Sequence, residues 1–189
     1  QNKYNILGII DINYKKNNTK NILGYQILGD IKSLENKKLK KSKIFIAIGD
    51  IKLRKKIYNS LKKNFQFINL IHKTAKISNY TKLGNNLLIN TGAIINAEVI
   101  IDDNSIINSG SIIEHEVYIG KNVNINPNVA IGGRTSIKNN TYVGIGATII
   151  DSINIGENVV IGAGSVVIKD IKKNLTSIGV PSRILKNEN

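Results

Sequence analysis

A histidine flanked by two glutamates stands out in the segment GSIIEHEVYIGKN, residues 110–122. The imidazole of His115 can accept a proton near neutral pH, because the ordinary pKa of histidine is about 6.5. A neighbouring carboxylate, Glu116 or Glu114, can orient the ring and stabilise its charged form. The segment therefore predicts an acid-base residue, with a surface histidine that has no chemical role as the alternative.

The residues that must position this histidine repeat every six positions from Ile77 onward. The fifth position of each hexad is small or β-branched in 15 of 16 cases, with Leu87 as the exception, and Asn, Gly and Asp lie between the hydrophobic positions. The first position is aliphatic in 16 consecutive hexads: Ile77, Leu83, Ile89, Ile95, Ile101, Ile107, Ile113, Ile119, Ile125, Ile131, Ile137, Val143, Ile149, Ile155, Ile161 and Val167.

A period of six fits neither an amphipathic helix nor a simple alternating strand. It fits short strands that are joined at regular corners into a β-solenoid, with the first and fifth positions pointing inward. His115 is the third residue of its hexad, so we expect it at a corner with its ring facing outward. We expect residues 173–189 to cap one end of the solenoid.

The first 76 residues have an α/β pattern. KYNILGIID, SKIFIAIGD and FQFINLI predict strands, and DIKLRKKIYNSLKKN predicts a helix with an aspartate N-cap. Strand, helix and strand together imply a parallel sheet, which binds nucleotides at the carboxyl ends of its strands. Asp11, Gly49 and Asp50 hold that place, although Asp11 can equally be no more than the end of a strand. Because no glycine-rich phosphate loop opens this part and the chain has no Met, we expect roughly one strand and one helix to be missing upstream.

Composition narrows the possible functions. The chain has no cysteine, which excludes disulfides, thiolate metal sites and a cysteine nucleophile. With neither a long apolar run nor a signal-peptide pattern, the sequence predicts a soluble, cytoplasmic protein. Residues 1–76 hold 18 Lys and Arg against 4 Asp and Glu, while residues 77–189 hold 9 against 9. We interpret this excess as a solvated basic face rather than a nucleic-acid site, since Trp is absent and there are only three Phe.

The segments FIAIGDIKLRKKIYNSLKKNFQFINLIHKTAKIS, IIEHEVYIGKNVNINPNVAIGG and IGVPSR, together with the hexads, resemble a known family. They are similar to the left-handed β-helix sugar O- and N-acyltransferases, and most similar to the UDP-4-amino-sugar N-acetyltransferases of bacillosamine synthesis. The resemblance implies a nucleotide-sugar-binding α/β domain over residues 1–76, a left-handed parallel β-helix over residues 77–172 and a C-terminal cap over residues 173–189.

The family resemblance also implies a chemistry. Members are homotrimers that hold acetyl-CoA between neighbouring β-helices and need no metal. They transfer the acetyl group directly to the 4-amine of a UDP-linked amino-deoxy sugar, which implies His115 as general base and favours Glu116 as its partner. Because three hexads make one coil in this family, residues 18 apart share a corner. Gly133 is then expected beside His115, with its N–H binding the oxyanion, although a purely conformational glycine is the alternative.

Other positions are matched to the family residue by residue. Asn108 is expected near the sugar. Asp11 and Gly49 are expected to bind the substrate as well, because of their place at the carboxyl ends of the predicted strands. His72 is expected to be structural. Asn124 stands where relatives often carry a second histidine near the thioester, and an amide there can donate a hydrogen bond but cannot accept a proton. The residues expected along the coenzyme are Asn124, Gly144, Ile145, Ala163 and Arg183.

Three other functions compete with this prediction. A zinc carbonic anhydrase on the same solenoid needs three histidines, and the chain has two. A sialic acid type O-acetyltransferase would use the same histidine on a hydroxyl group, but it has no need of a nucleotide-binding half. A non-catalytic basic solenoid that binds nucleotide sugar or nucleic acid would not need the His-Glu corner. We therefore expect a nucleotide-sugar substrate, no nucleic-acid partner and no membrane partner.

Overall fold

The computed structural model describes residues 4–14, 20–36 and 39–185. The chain forms two compact units, Gln1–Lys43 with Asn64–Gln66, and Ile44–Lys63 with Phe67–Asn189. The last four residues of the predicted cap, 186–189, lie outside the described residues.

The first unit contains a small mixed sheet. Its strands are β1 (Ile9–Ile10), β2 (Asn21–Ile22) and β3 (Tyr25–Gly29) in the order β1-β3-β2, with β1 parallel and β2 antiparallel to β3. A 3₁₀ helix, Ile31–Glu35, follows β3, and the Asp30 side chain caps it by accepting from the Lys32 N–H at 2.9 Å. The first predicted strand is therefore shorter than expected.

The predicted helix is present in the second unit as α1 (Ile51–Leu61). The Asp50 carboxylate accepts from the Leu53 N–H at 2.7 Å, which is the predicted N-cap. Its buried stripe consists of Ile57, Tyr58 and Leu61 together with Arg54.

Two predicted strands of the α/β part are wrong in detail. SKIFIAIGD forms only one β-bridge, between Ile44 and Phe67. The backbone N–H of Ile46 donates to Asn86 Oδ1 at 2.8 Å, so it is not available to pair with a neighbouring strand. FQFINLI contains β4 (Leu70–Ile71), which pairs with a solenoid strand rather than with the sheet of the first unit. The solenoid ladder therefore starts before the predicted boundary at Ile77.

Short parallel strands build a three-sided solenoid. Residues 18 apart pair from Leu70 to Val167, as in Ile113 with Ile131, so three hexads make one coil. At the end of the solenoid the spacing shortens to 16, as in Val160 with Thr176. The further strands are β5 (Lys76–Ile77), β6 (Lys82–Leu83), β7 (Leu88–Ile89), β8 (Ile94–Ile95), β9 (Ile100–Ile101), β10 (Ile106–Ile107), β11 (Ile112–Ile113), β12 (Tyr118–Ile119), β13 (Asn124–Ile125), β14 (Ala130–Ile131), β15 (Ser136–Ile137), β16 (Tyr142–Val143), β17 (Thr148–Ile149), β18 (Asn154–Ile155), β19 (Val160–Ile161), β20 (Val166–Val167), β21 (Thr176–Ile178) and β22 (Arg183–Ile184).

Each side of the solenoid is one sheet. The first face has the order β22-β21-β19-β16-β13-β10-β7-β4, the second face β20-β17-β14-β11-β8-β5, and the third face β18-β15-β12-β9-β6. The antiparallel pair β21 and β22 extends the first face where the hexads end. Within the described residues, no helix combines the length and the apolarity that crossing a membrane requires.

The hexad pattern explains both the core and the corners. From Leu87 to Ile171 the first and fifth positions are buried, as predicted. Four buried hydroxyls at the fifth position, those of Ser105, Ser111, Thr135 and Thr141, donate to corner carbonyls, as in Ser105 Oγ to Gly120 O at 2.9 Å. The fourth position takes φ near +60°, for example in Asn104 and Gly110, which explains why Asn and Gly recur there.

Candidate active site

His115 lies at the corner between the second and third faces, called the His115 corner below. It follows β11 and precedes β12. Its Nδ1 is 2.8 Å from Glu116 Oε2, and the two side chains are 49% and 47% exposed. Because an ionised carboxylate can only accept, Nδ1 carries the hydrogen and Nε2 keeps a lone pair that can accept a proton.

The two glutamates beside His115 have different partners. Glu114 Oε2 accepts from Asn96 Nδ2 at 2.8 Å, one coil earlier. Glu116 has φ +60°, and its carboxylate contacts the imidazole directly. Of the two predicted candidates, only Glu116 is therefore in position to orient the ring.

Gly133 lies beside the imidazole on the next coil. A Cβ at this glycine would be 2.7 Å from His115 Cε1 and 2.8 Å from Nε2, so the ring occupies the space of the missing side chain. The Gly133 carbonyl accepts from the Ser152 N–H at 2.8 Å, while its own N–H has no acceptor among the described residues. The ring packs against Gly133, and the free N–H makes this residue a candidate donor to an oxyanion, which stays a prediction.

Arg134 is a member of this corner that the sequence analysis missed. Its Nη1 is 3.9 Å from Glu116 Oε2 and its Nη2 is 3.5 Å from Asp151 Oδ2. Its Nε lies 3.4 Å from Ser152 Oγ. The 18-residue repeat could have predicted this position, because Arg134 comes 18 residues after Glu116 and therefore lies one coil further along the same corner.

Three predicted coenzyme residues meet at a different corner, between the first and second faces, called the Ile145 corner below. Gly144 and Ile145 follow β16, and Ala163 lies one coil further along. A Cβ at Gly144 would be 2.5 Å from the Ala163 backbone nitrogen, and the Ile145 side chain is 55% exposed. Asn108 lies at this corner too, and its Oδ1 accepts from Asn90 Nδ2 at 2.8 Å. One chain therefore does not bring these residues together with His115.

Asn124 has partners other than the predicted coenzyme. Its side chain is buried, its Nδ2 donates to the Gly49 carbonyl at 2.9 Å, and its Oδ1 accepts from Arg54 Nη2. Both polar groups of the amide are therefore used within the chain. The physical reason is that β13 lies beneath helix α1, whose buried arginine needs acceptors.

Arg54 is a buried cation that the sequence analysis did not single out. It also donates to the carbonyls of Ile48 at 2.9 Å, Gly49 at 3.0 Å and Asn104 at 3.1 Å. Burial lowers the pKa of Arg54 to about 10, while the charge of Asp50 acts in the opposite direction. The sequence could have indicated this residue, because Arg54 shares the helix face of the apolar residues Ile57, Tyr58 and Leu61.

The remaining predicted residues occupy separate places. In the first unit, Asp11 follows β1 and its Oδ1 accepts from the Asn13 N–H at 2.8 Å. In the second unit, Gly49 has open space where a side chain would lie. Arg183 lines a cleft of about 440 Å³ in the cap. His72 Nδ1 is 2.9 Å from Thr74 Oγ1, a local turn contact that agrees with a structural role.

Comparisons with known proteins match both halves of the chain. The PglD N-terminal domain matches residues 1–61, and the bacterial transferase hexapeptide (six repeats) matches residues 134–169. PerB from Caulobacter crescentus, solved in complex with CoA and GDP-perosamine, is 29% identical, with 95% of this chain and 84% of that chain covered and a TM-score of 0.77. Both halves of the chain are therefore similar in sequence and fold to the hexapeptide-repeat sugar acyltransferases. The predicted family resemblance, the acyltransferase class and the left-handed β-helix are thereby confirmed.

A second protein to which the chain is similar is the acetyltransferase domain of PglB from Neisseria gonorrhoeae. It is 26% identical, with 94% of this chain and 86% of that chain covered and a TM-score of 0.86. The structure of that domain in complex with acetyl coenzyme A matches with 24% identity, 94% and 85% coverage and a TM-score of 0.88. In the part of the acyltransferase that the structure describes, no group of three or more His, Asp or Glu side chains could hold a metal ion.

Proposed function

We propose that the chain is an acetyl-CoA-dependent N-acetyltransferase that acts on the 4-amine of a nucleotide-linked amino-deoxy sugar, with UDP as the expected nucleotide. The observation that carries the proposal is the His115 corner, where a carboxylate orients the imidazole and the ring packs against Gly133, whose N–H has no acceptor among the described residues. PerB, whose structure contains CoA and GDP-perosamine, supports the coenzyme and the class of acceptor.

In the proposed reaction, the sugar amine attacks the thioester carbonyl directly. The C–N bond forms while Nε2 of His115 takes a proton from the amine, and Glu116 stabilises the resulting imidazolium. The negative oxygen of the tetrahedral intermediate is held by the Gly133 N–H. The C–S bond then breaks, and the departing thiolate takes the proton from His115. No acyl-enzyme forms, since the chain has no cysteine and no serine in a nucleophile motif.

The working enzyme is proposed to be a homotrimer. The His115 corner and the Ile145 corner are opposite edges of the second face, so one chain cannot close a groove over both. A neighbouring copy that places its own Ile145 corner beside this His115 would complete the coenzyme groove. Such packing would also cover exposed apolar side chains on the second face, Ile94 and Ile112, and at its edge, Ile150 and Ile168, which are 38–41% exposed.

The proposal is tested by thiol release from acetyl-CoA with a panel of acceptors. The panel contains 4-amino-4,6-dideoxy sugars linked to UDP, GDP or dTDP, and a sialic acid as the hydroxyl acceptor. Because the chain has no cysteine, the protein adds no background to a thiol reagent. We expect release only with the amino sugars, and mass spectrometry of the product should show an acetamide. Release with the hydroxyl acceptor alone would contradict the proposal, and a monomer in light scattering would contradict the shared groove.

A further inference from the structure

We propose that Arg134 is a positioning residue that holds Glu116 against His115, and so keeps the reactive nitrogen of the imidazole free. This inference rests on the proposed function. It concerns a residue that does not touch the reacting atoms and that acts through the carboxylate between it and the base.

One oxygen of Glu116 is shared between His115 and Arg134. Glu116 Oε2 is 2.8 Å from His115 Nδ1 and 3.9 Å from Arg134 Nη1, so one carboxylate oxygen faces the imidazole on one side and the guanidinium on the other. At 3.9 Å the arginine forms an ion pair with this oxygen without competing for its hydrogen bond to Nδ1.

Arg134 is itself anchored on the following coil. Its Nη2 lies 3.5 Å from Asp151 Oδ2 and its Nε 3.4 Å from Ser152 Oγ, and the Ser152 hydroxyl is 3.4 Å from the same aspartate oxygen. A fork-shaped guanidinium can contact two carboxylates at once, which the single charge of lysine cannot do with the same geometry.

The backbone also favours this arrangement. Glu116 and Arg134 are the fourth residues of their hexads, with φ of +60° and +58°. They are 18 residues apart, and the Arg134 N–H donates to the His115 carbonyl at 2.9 Å. The guanidinium is therefore carried by the same hydrogen-bonded corner that carries the histidine.

The physical consequence concerns the imidazole tautomer. A carboxylate fixed on Nδ1 keeps the hydrogen there and leaves the Nε2 lone pair available for the amine proton. If Glu116 turns away into solvent, which its 47% exposure allows, the hydrogen is shared between the two ring nitrogens. Only the fraction with a free Nε2 can then act as base.

The test combines kinetics with NMR on the full-length protein. In Arg134→Ala we expect kcat to fall by about three- to fivefold, the upper part of the range that corresponds to an exposed ion pair, with little change in either KM. Arg134→Lys should recover part of this loss. Lys138→Gln, which removes a positive charge next to Tyr118 instead, is the matched control and should keep the wild-type rate. Adding Arg134→Ala to Glu116→Ala should cause no further loss.

The tautomer is observed directly by ¹⁵N NMR of the imidazoles. The chain has only two histidines, and His115→Ala identifies the signals of His115. We expect a predominant Nδ1–H form in the wild type and a mixture in Arg134→Ala. An unchanged tautomer would overturn the inference, and an unchanged tautomer with a raised KM for the nucleotide sugar would make Arg134 a substrate contact instead. If no acceptor supports thiol release, the proposed function fails, whereas the NMR comparison still decides this inference.

Discussion

The contact between Gly133 and the His115 ring gives a sharp prediction for Gly133→Ala. The new Cβ would lie 2.7 Å from Cε1 and 2.8 Å from Nε2, while ordinary contacts begin at 3.4 Å. The ring must therefore retreat by about 0.7 Å, and a misplacement of about 1 Å can lower a rate by roughly 100-fold. We expect kcat/KM to fall by about 10- to 100-fold.

Stability should change little in the same variant. Gly133 does not have a positive φ, so alanine fits its backbone, and the His115 side chain is 49% exposed and can move into solvent. We expect the free energy of unfolding to change by less than about 0.5 kcal/mol in urea titrations. Thiol release from acetyl-CoA, measured at saturating coenzyme, gives the kinetic effect.

The matched control for Gly133→Ala is the same substitution in a His115→Ala background. Without the ring there is nothing for the new methyl group to displace, so the double variant should have the same residual rate as His115→Ala alone. Full activity in Gly133→Ala would refute the geometric reasoning. A further tenfold loss in the double variant would show that the glycine acts independently of the ring.

Further predictions concern three other side chains. Glu116→Gln should lower kcat by about 100-fold or more, because an amide can present its NH₂ group to Nδ1 and favour the tautomer with the hydrogen on Nε2. A loss of less than threefold would exclude Glu116 as the group that orients the ring. Arg54→Met should lower the free energy of unfolding in urea by about 3 kcal/mol. Each buried acceptor that loses its donor costs about 1–3 kcal/mol, and the removal of a buried charge offsets part of this cost. An unchanged urea midpoint would contradict the role of Arg54. Burial and the hydrogen bond to Asp102 raise the pKa of Tyr118 to about 12. The protonated phenol therefore stabilises the folded protein below pH 10, and this stabilisation is lost as the pH rises towards 12. In thermal melts, Tyr118→Phe should lose less stability than the wild type over that range, and equal losses would contradict the prediction.

The solenoid could be predicted almost completely because its rule is local. An inward position must be aliphatic and a corner must accept φ near +60°, so the hexads from Leu87 to Ile171 determine both the core and the corners. His115 and Gly133 follow from the same rule, since the 18-residue coil places them side by side.

The α/β part was less predictable because its contacts are between residues far apart in the sequence. SKIFIAIGD has the composition of a strand, but its Ile46 amide bonds to Asn86, 40 residues further along the chain. The burial of Asn124 depends on Arg54, 70 residues away, and no local pattern reveals that pair. Arg134, in contrast, could have been found by extending the 18-residue spacing from Glu116.

The most direct test of the account compares the wild type with His115→Ala in thiol release from acetyl-CoA with a UDP-4-amino-4,6-dideoxy sugar. If His115 is the general base, kcat should fall by about 100-fold or more while binding of acetyl-CoA is retained. A rate that the substitution leaves unchanged would contradict His115 as the general base.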